Sequence, residues 1–229
     1  MQMEAMLRII MGQQLNIDIL ADEAGEFCEV QSRLNHNQLL GITDGKAVGT
    51  YIQNKFQQYL SSKYEITIGN SANGIDLPDK HINTDIKATS INQPQSSCPF
   101  KTARQKIYGL GYNLLIFVYE KIDNGAVCRL QFKYCTFVPD KKTADFSLST
   151  QIIQAIGNGA NKDDIIAILH DRNIPGDSIT YDQLADEILS CPPQQGYLTI
   201  SNALQWRLQY SRVISLQNTI NGIKNYEWQ

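Results

Sequence analysis

The stretch Gly74-Ile75-Asp76-Leu77-Pro78-Asp79-Lys80-His81-Ile82-Asn83-Thr84-Asp85-Ile86-Lys87-Ala88-Thr89-Ser90 places two acids and a lysine around one turn. Its centre, Pro78-Asp79-Lys80, is typical of a turn, because proline presets its own backbone angle and aspartate hydrogen-bonds locally. The chain should therefore fold back on itself in a hairpin. In that hairpin we expect Asp76 to lie close to Asp85.

The second arm of the hairpin predicts a strand with one chemical face and one core face. Side chains alternate along a strand, so Asp85 and Lys87 project to one face and Ile86 projects to the other, where it can anchor the strand. Two carboxylates and an ammonium group at one sheet edge favour a site for a hard divalent metal and a water nucleophile.

The composition of the 229 residues is that of an ordinary globular protein, with 42% hydrophobic and 19% charged residues. No apolar run approaches the roughly 18 residues that span a membrane. The five cysteines are scattered and odd in number, so a disulfide framework is not expected and a cytoplasmic location is the default.

The net charge of −3 by itself argues against a nucleic-acid protein. The distribution of charge matters more than the sum. Residues 160–190 hold two basic side chains against seven acidic ones, whereas residues 201–229 hold three basic side chains against Glu227 alone. The last section is therefore the one that can approach a polyanion.

Hydrophobic periodicity predicts helices at both ends of the chain and strands between them. The fold class is α/β, a mixed central sheet flanked by helices, with helical N- and C-terminal additions. We divide the chain into an N-terminal helical extension (1–43), a core (44–138) and a C-terminal helical region packed on the core (139–229). Predicted helices are 17–34, 46–60, 99–108, 146–156, 162–171, 181–189 and 201–223, and predicted strands are 64–68, 112–120 and 127–138.

The order of elements and the charged residues together resemble the PD-(D/E)xK nuclease superfamily, and within it type II restriction endonucleases. The resemblance rests on Gly74-Ile75-Asp76, on Asp85-Ile86-Lys87 and on the buried strand 112–120, with a helix carrying Thr102, Arg104 and Gln105 between them. It covers roughly residues 44–138. It implies a restriction-endonuclease-like fold.

The same resemblance implies the chemistry of the site. Asp76 and Asp85 would bind Mg2+ together with the backbone carbonyl of Ile86, and Lys87 would position or activate the attacking water or stabilise the transition state. The reaction would be hydrolysis of phosphodiester bonds in double-stranded DNA. A cognate DNA methyltransferase is implied as a genetic partner. Symmetric cutting of both strands would favour a homodimer.

One position departs from the family pattern. Many members carry a glutamate on the first core helix, about four residues after a glycine, and here Gly49 is followed by Gln53. Glutamine can ligate a metal or hydrogen-bond to water, but it brings no charge. Gln53 remains a candidate catalytic residue, and the number of metal ions, one or two, stays open.

Candidate DNA-reading residues follow from base chemistry, since arginine suits guanine and glutamine or asparagine suits adenine. They lie in the loop after the catalytic strand, on the intervening helix and on one face of the predicted last helix. A solvated polar helix face is the alternative explanation for that last group. The candidates are Thr89, Ser90, Asn92, Gln93, Arg104, Gln105, Gln205, Gln209 and Arg212.

Three functional hypotheses follow. The leading one is a magnesium-dependent type II restriction endonuclease that cuts at a short specific sequence. The second is a structure-specific or repair nuclease of the junction-resolvase type, without sequence specificity. The third is a non-catalytic DNA-binding module that has kept a nuclease fold. The large regions outside the core favour specific recognition.

Overall fold

The computed structural model describes residues 14–69, 74–98, 101–201, 206–216, 220 and 222–228. The chain forms two compact units that alternate along the sequence. The first unit contains residues 1–94, 113–137 and 217–229, and the second contains residues 95–112 and 138–216.

The described helices and strands follow one another in a mixed order. Two short 3-10 helices, Asn37–Leu39 and Asp140–Lys142, lie between them. The elements are α1 (Ile17–Ser32), α2 (Gly45–Ser61), β1 (Thr84–Ser90), β2 (Gln95–Ser97), α3 (Arg104–Tyr108), β3 (Asn113–Asp123), β4 (Cys128–Val138), α4 (Phe146–Gly157), α5 (Lys162–Asp171), α6 (Ser178–Ser190), β5 (Thr199–Ile200), β6 (Arg207–Gln209), α7 (Ser211–Ile214) and β7 (Lys224–Glu227).

The first unit is built on a four-stranded sheet in the order β1-β3-β4-β7. β1 runs parallel to β3 with Ile86 opposite Leu115, and β4 runs antiparallel to β7. The sheet is therefore mixed, as predicted, and β1 is one of its edges. β3 is buried along most of its length, which confirms the continuous apolar run as a central strand.

Helices α1 and α2 begin at side-chain caps and pack in one core with the sheet. Asn16 accepts the N–H groups of Asp18 and Ile19 at the start of α1, and Asp44 caps α2. Phe56 packs at the centre of this core, with its ring centroid 5.1 Å from that of Phe27 and 5.1 Å from that of Phe117. Both helices confirm their predictions.

The second unit combines helices with a small sheet. Helices α4, α5 and α6 share a core that includes Ile152, Leu169 and Ile188, and their positions confirm three predicted helices. Asn161 and Asp164 form a capping box at the start of α5. The small sheet is antiparallel, with the strand order β2-β6-β5.

The predicted long helix over 201–223 is wrong. The described part of this region contains β6 and the four-residue α7, and β7 follows it at Lys224. Leu208 and Tyr210 are fully buried and two residues apart, so they fit the period of a strand. The ladder with β2 and β5 satisfies this backbone, because tertiary pairing overrides local helical propensity.

Three smaller expectations also need correction. Residues 64–68 form no strand, because the N–H of Thr67 donates to the Asp79 carboxylate instead of joining a ladder. The helix predicted for 99–108 is shorter and begins at Arg104, and the loop predicted after the catalytic strand leads into β2 at Gln95. The division at residues 43/44 and 138/139 stays a prediction. None of the helices in the described ranges combines the length and the apolar character that a membrane span requires.

Candidate active site

The predicted hairpin is present and its turn is closed by backbone bonds. Leu77 and Thr84 form an antiparallel bridge with two hydrogen bonds of 3.0 Å. The carbonyl of Asp79 accepts the N–H groups of Ile82 and Asn83 at 2.8 and 2.7 Å. Asn83 adopts a φ of 38°, which asparagine tolerates better than most residues. The turn therefore brings the two arms together.

Asp85 and Lys87 project to the same face of β1, as predicted. The Lys87 ammonium lies 2.8 Å from Oδ2 of Asp85. Asp85 is only 4% exposed, so its carboxylate lies in an environment where charge interactions are stronger than in water. Ile86 projects the other way and packs in the core with α1 and α2.

Asp76 closes against the free edge of β1. Its Oδ2 accepts the N–H of Ile86 at 2.7 Å, and its Oδ1 accepts a hydrogen bond of 2.5 Å from the Gln53 side-chain amide. Burial and a hydrogen bond with the neighbouring Asp85 carboxyl raise the pKa of Asp76 to about 7. Two acids, an amide and an ammonium group therefore meet at one point of the first unit.

The backbone of Asp76 is also held from two sides. Its carbonyl accepts the N–H of Gly69 at 2.9 Å and the side-chain amide of Gln57 at 3.3 Å. A Cβ on Gly69 would lie 1.9 Å from the Ile75 carbonyl oxygen, so only glycine fits. Gln57 and Gly69 were not among the predicted site residues, although Gln57 lies one helical turn after Gln53.

The donor atoms of this cluster suit a hard divalent cation. Two carboxylates converge, and their mutual repulsion falls when a cation binds between them. Since the N–H and C=O of a strand residue point to the same side, the Ile86 carbonyl faces the edge where Asp76 lies. Among the described residues, no group of three His, Cys, Asp or Glu side chains is placed to hold a metal. The third side chain that contacts this pair is the uncharged amide of Gln53, which donates to Asp76.

The predicted DNA-reading residues of the loop after the catalytic strand are divided between two elements. Thr89 and Ser90 are the last two residues of β1, and Asn92 and Gln93 lie in the turn that follows it. Thr89 is buried and its hydroxyl donates to the Gln93 carbonyl at 2.9 Å. Asn92 and Gln93 are exposed, and Ser90 is half-buried. Their contact with bases stays a prediction.

Arg104 and Gln105 lie apart from this turn in the sequence and have partners of their own. Arg104 forms an ion pair of 2.7 Å with Glu187. Gln105 accepts the Lys101 N–H and donates to the Leu110 carbonyl, so it fixes the ends of α3.

Gln205, Gln209 and Arg212 were predicted to share one helix face. Gln205 lies outside the described residues. Gln209 is in β6, and Arg212 is in α7 with its guanidinium 3.8 Å from the centroid of the Phe146 ring. The shared helix face does not exist, while contacts of the individual residues with DNA stay predictions.

Comparison with known proteins identifies the family. The family model for type II restriction enzyme NspV matches residues 14–225. The type II restriction enzyme NspV of Nostoc sp. (strain ATCC 29411 / PCC 7524) is 54% identical over 211 residues, which cover 91% of this chain and 95% of that protein. No solved structure matches the chain. The chain therefore belongs to the NspV family of type II restriction enzymes.

Proposed function

We propose that this protein hydrolyses phosphodiester bonds of double-stranded DNA at a short specific sequence, as a type II restriction endonuclease with a PD-(D/E)xK site. The observation that carries the proposal is the convergence of Asp76, Asp85 and Lys87 at the edge of a mixed sheet. Membership of the NspV family supports the same reaction. The α/β architecture agrees with a restriction-endonuclease-like fold.

Magnesium is the cofactor that this donor set suits best. The carboxylates of Asp76 and Asp85 and the carbonyl of Ile86 would hold it, because Mg2+ prefers oxygen ligands and keeps several waters. When bound, such an ion lowers the pKa of a water molecule and offsets negative charge on the scissile phosphate.

The residues of the chain have separate tasks in this reaction. Lys87, fixed by its ion pair with Asp85, places an ammonium group where it can orient the attacking water or stabilise charge on the phosphate. Gln53 holds one oxygen of Asp76, and the Ile86 N–H holds the other. This leaves Asp76 little rotational freedom, so its position is set before substrate binds.

The assembly and setting of the enzyme belong to the same proposal. Cutting two antiparallel strands at a symmetric site calls for two active centres related by a two-fold axis, so we propose a C2 homodimer. Analytical sedimentation that shows a monomer bound to the specific DNA would contradict the proposed homodimer. A cytoplasmic location and a cognate methyltransferase that protects host DNA complete the proposal.

Removing the metal tests the proposed reaction directly. Purified protein incubated with plasmid or phage DNA and Mg2+ should give discrete fragments, because the two carboxylates need a cation to act on a phosphate. The fragments should vanish with excess chelator and return when Mg2+ is restored. Gel analysis and sequencing of the fragment ends measure both results. A smear without preferred ends would favour a non-specific nuclease.

Replacing Gln53 tests how the amide supports Asp76. Gln53→Glu exchanges a donor 2.5 Å from Asp76 for a third carboxylate. Without metal, we expect the like charges to lower the free energy of unfolding by about 1–2 kcal/mol. Mg2+ should restore the loss because it binds among the acids. Urea unfolding with chelator and with Mg2+ measures the difference.

Gln154→Glu, at an exposed position of α4, is the matched control and should show no dependence on the metal. A loss in Gln53→Glu that is equal with and without Mg2+ would contradict a metal at Asp76.

A further inference from the structure

The small sheet of the second unit gathers polar side chains from three separate segments on one face. In its register, Gln209 of β6 lies opposite Gln95 of β2 and opposite Thr199 of β5, while Arg207 lies opposite Ser97. Residues that face each other across strands share one side of the sheet, as do residues two apart on one strand. These five residues therefore form one surface, the polar face.

The other side of the same sheet is core. Leu208 is fully buried and Ile200 is 4% exposed. Leu208 lies between Arg207 and Gln209 on β6, and Ile200 lies opposite Leu208. Ser96 also lies on this side, where its hydroxyl is hydrogen-bonded to that of Tyr210 at 2.5 Å. Because the core fixes one side, the register of the polar face is fixed as well.

The polar face carries the positive charge of Arg207, and the segments of the chain that form its strands contain no acidic residue. Residues 86–119 and 188–226 contain no Asp or Glu, and all three strands lie within these two ranges. Arg207, the first residue of β6, is exposed. Asp145 contacts β5, but it is buried and its oxygens accept the N–H groups of Leu148 and Ile200. The polar face therefore suits a polyanion.

We propose that the polar face reads base edges in the major groove of duplex DNA, and so determines the sequence at which this enzyme cuts. This inference rests on the proposed function. A major groove about 12 Å wide admits a two-stranded ribbon. β2 and β6 form such a pair within the three-stranded sheet, whose third strand, β5, has only two residues. Arg207 carries the fork that recognises guanine, and Gln209 and Gln95 carry the amides that recognise adenine.

The spacing of the side chains fits the rise of the duplex. Arg207 and Gln209 are two residues apart on β6, which is about 6.8 Å along an antiparallel strand. Base pairs follow one another at about 3.4 Å. With the ribbon lying along the groove, Arg207 and Gln209 thus reach base pairs that are two steps apart, a G·C pair and an A·T pair.

The experiment begins with the wild type, whose recognition sequence follows from the ends of the fragments. Single-turnover cleavage is then measured on that duplex and on every single-base-pair substitution of it. Discrimination at a position is the ratio of the cleavage rates on the specific duplex and on the duplex substituted there. In Arg207→Ala we expect this ratio to fall about 5- to 150-fold at one G·C position. In Gln209→Ala we expect a fall of the same size at one A·T position. Discrimination at the remaining positions should stay within about twofold of wild type.

Matched variants separate base reading from general effects. Lys141→Ala and Gln154→Ala are exposed positions of the same unit and should keep wild-type discrimination. Arg207→Lys keeps the charge but loses the bidentate fork, so it should lose discrimination at the same G·C position. Thermal unfolding midpoints equal to wild type establish that each variant is folded.

The outcomes distinguish this inference from the proposed function. Wild-type protein that yields no consensus at its fragment ends would overturn the proposed function, and the polar face with it. A clear consensus with discrimination unchanged in Arg207→Ala and Gln209→Ala would overturn the polar face alone. Arg207→Ala could instead lose the same factor of activity on all duplexes, while the slope of log binding constant against log salt concentration falls by about one. That result would make Arg207 a phosphate contact and would also overturn base reading.

Discussion

Asp85→Asn is expected to lower the single-turnover rate of DNA cleavage by about a thousandfold or more, since a metal supplies several kcal/mol of transition-state stabilisation. The change keeps the size of the side chain and removes one of two converging carboxylates. It also removes the acid that fixes the Lys87 ammonium at 2.8 Å. Quenched-flow or gel assays on the specific duplex measure the rate.

A matched acid distinguishes this effect from a general change of charge. Asp171→Asn removes an exposed carboxylate at the end of α5 and should leave the rate within about twofold, as surface substitutions generally do. Both variants should bind the specific duplex and unfold cooperatively. If Asp85→Asn cuts DNA at a rate close to that of wild type, the assignment of Asp85 to the metal site is wrong.

The hairpin of the candidate active site was predictable because its signals are local. The proline-centred turn and the alternation of Asp85, Ile86 and Lys87 are fixed within a few residues, and the structure confirms the hairpin and the alternation. Helices α1 and α2 were predictable for the same reason, since caps and apolar spacing act over one or two turns.

The polar face was not predictable from the same sequence. β2 and β6 have three residues each and are separated by more than one hundred residues, so neither segment carries a periodic signal of its own. Gln209 and Arg212 were predicted to lie on one helix because Trp206, Tyr210 and Val213 match helical spacing. Pairing with a distant strand decided the conformation instead.

The supports of Asp76 show a second limit. Gln57 lies one helical turn after Gln53, and both amides reach Asp76, one at the carboxylate and one at the carbonyl. Sequence patterns indicate which side chains share a helix face, but they do not indicate in which direction a loop carbonyl points. The need for glycine at position 69 could be explained only once the close approach of the Ile75 carbonyl oxygen was known.

A buried carboxylate joins the two helices that cover the sheet. Glu23 of α1 is 9% exposed, and its oxygens accept hydrogen bonds from the hydroxyls of Tyr59 and Tyr64, each at 2.5 Å, and from the Lys63 ammonium at 2.6 Å. Burial alone raises the pKa of Glu23, but these three hydrogen bonds outweigh it, and the pKa is lowered from its ordinary value of 4.5.

Glu23→Ala should therefore lower the free energy of unfolding by about 3 kcal/mol, because it leaves the buried Tyr64 hydroxyl and the Lys63 ammonium without this acceptor. Urea unfolding at pH 7 measures the loss. Glu29→Ala, exposed on the same helix, should cost less than about 0.5 kcal/mol.

The pH dependence of that loss gives an independent check. A carboxylate with a lowered folded-state pKa stabilises the protein above the unfolded-state value, and this contribution disappears as the pH falls through the folded-state pKa. The difference between wild type and Glu23→Ala should thus be constant from pH 6 to pH 8 and narrow below pH 4.5. A difference that grows as the pH falls would contradict an ionised Glu23. Helix α2 also carries Gln53 and Gln57, so it both packs against α1 and supports Asp76. In Glu23→Ala we expect the first role to weaken, which lowers the stability of the helix pair. We expect the second role to persist, so the cleavage rate of the folded fraction should stay unchanged.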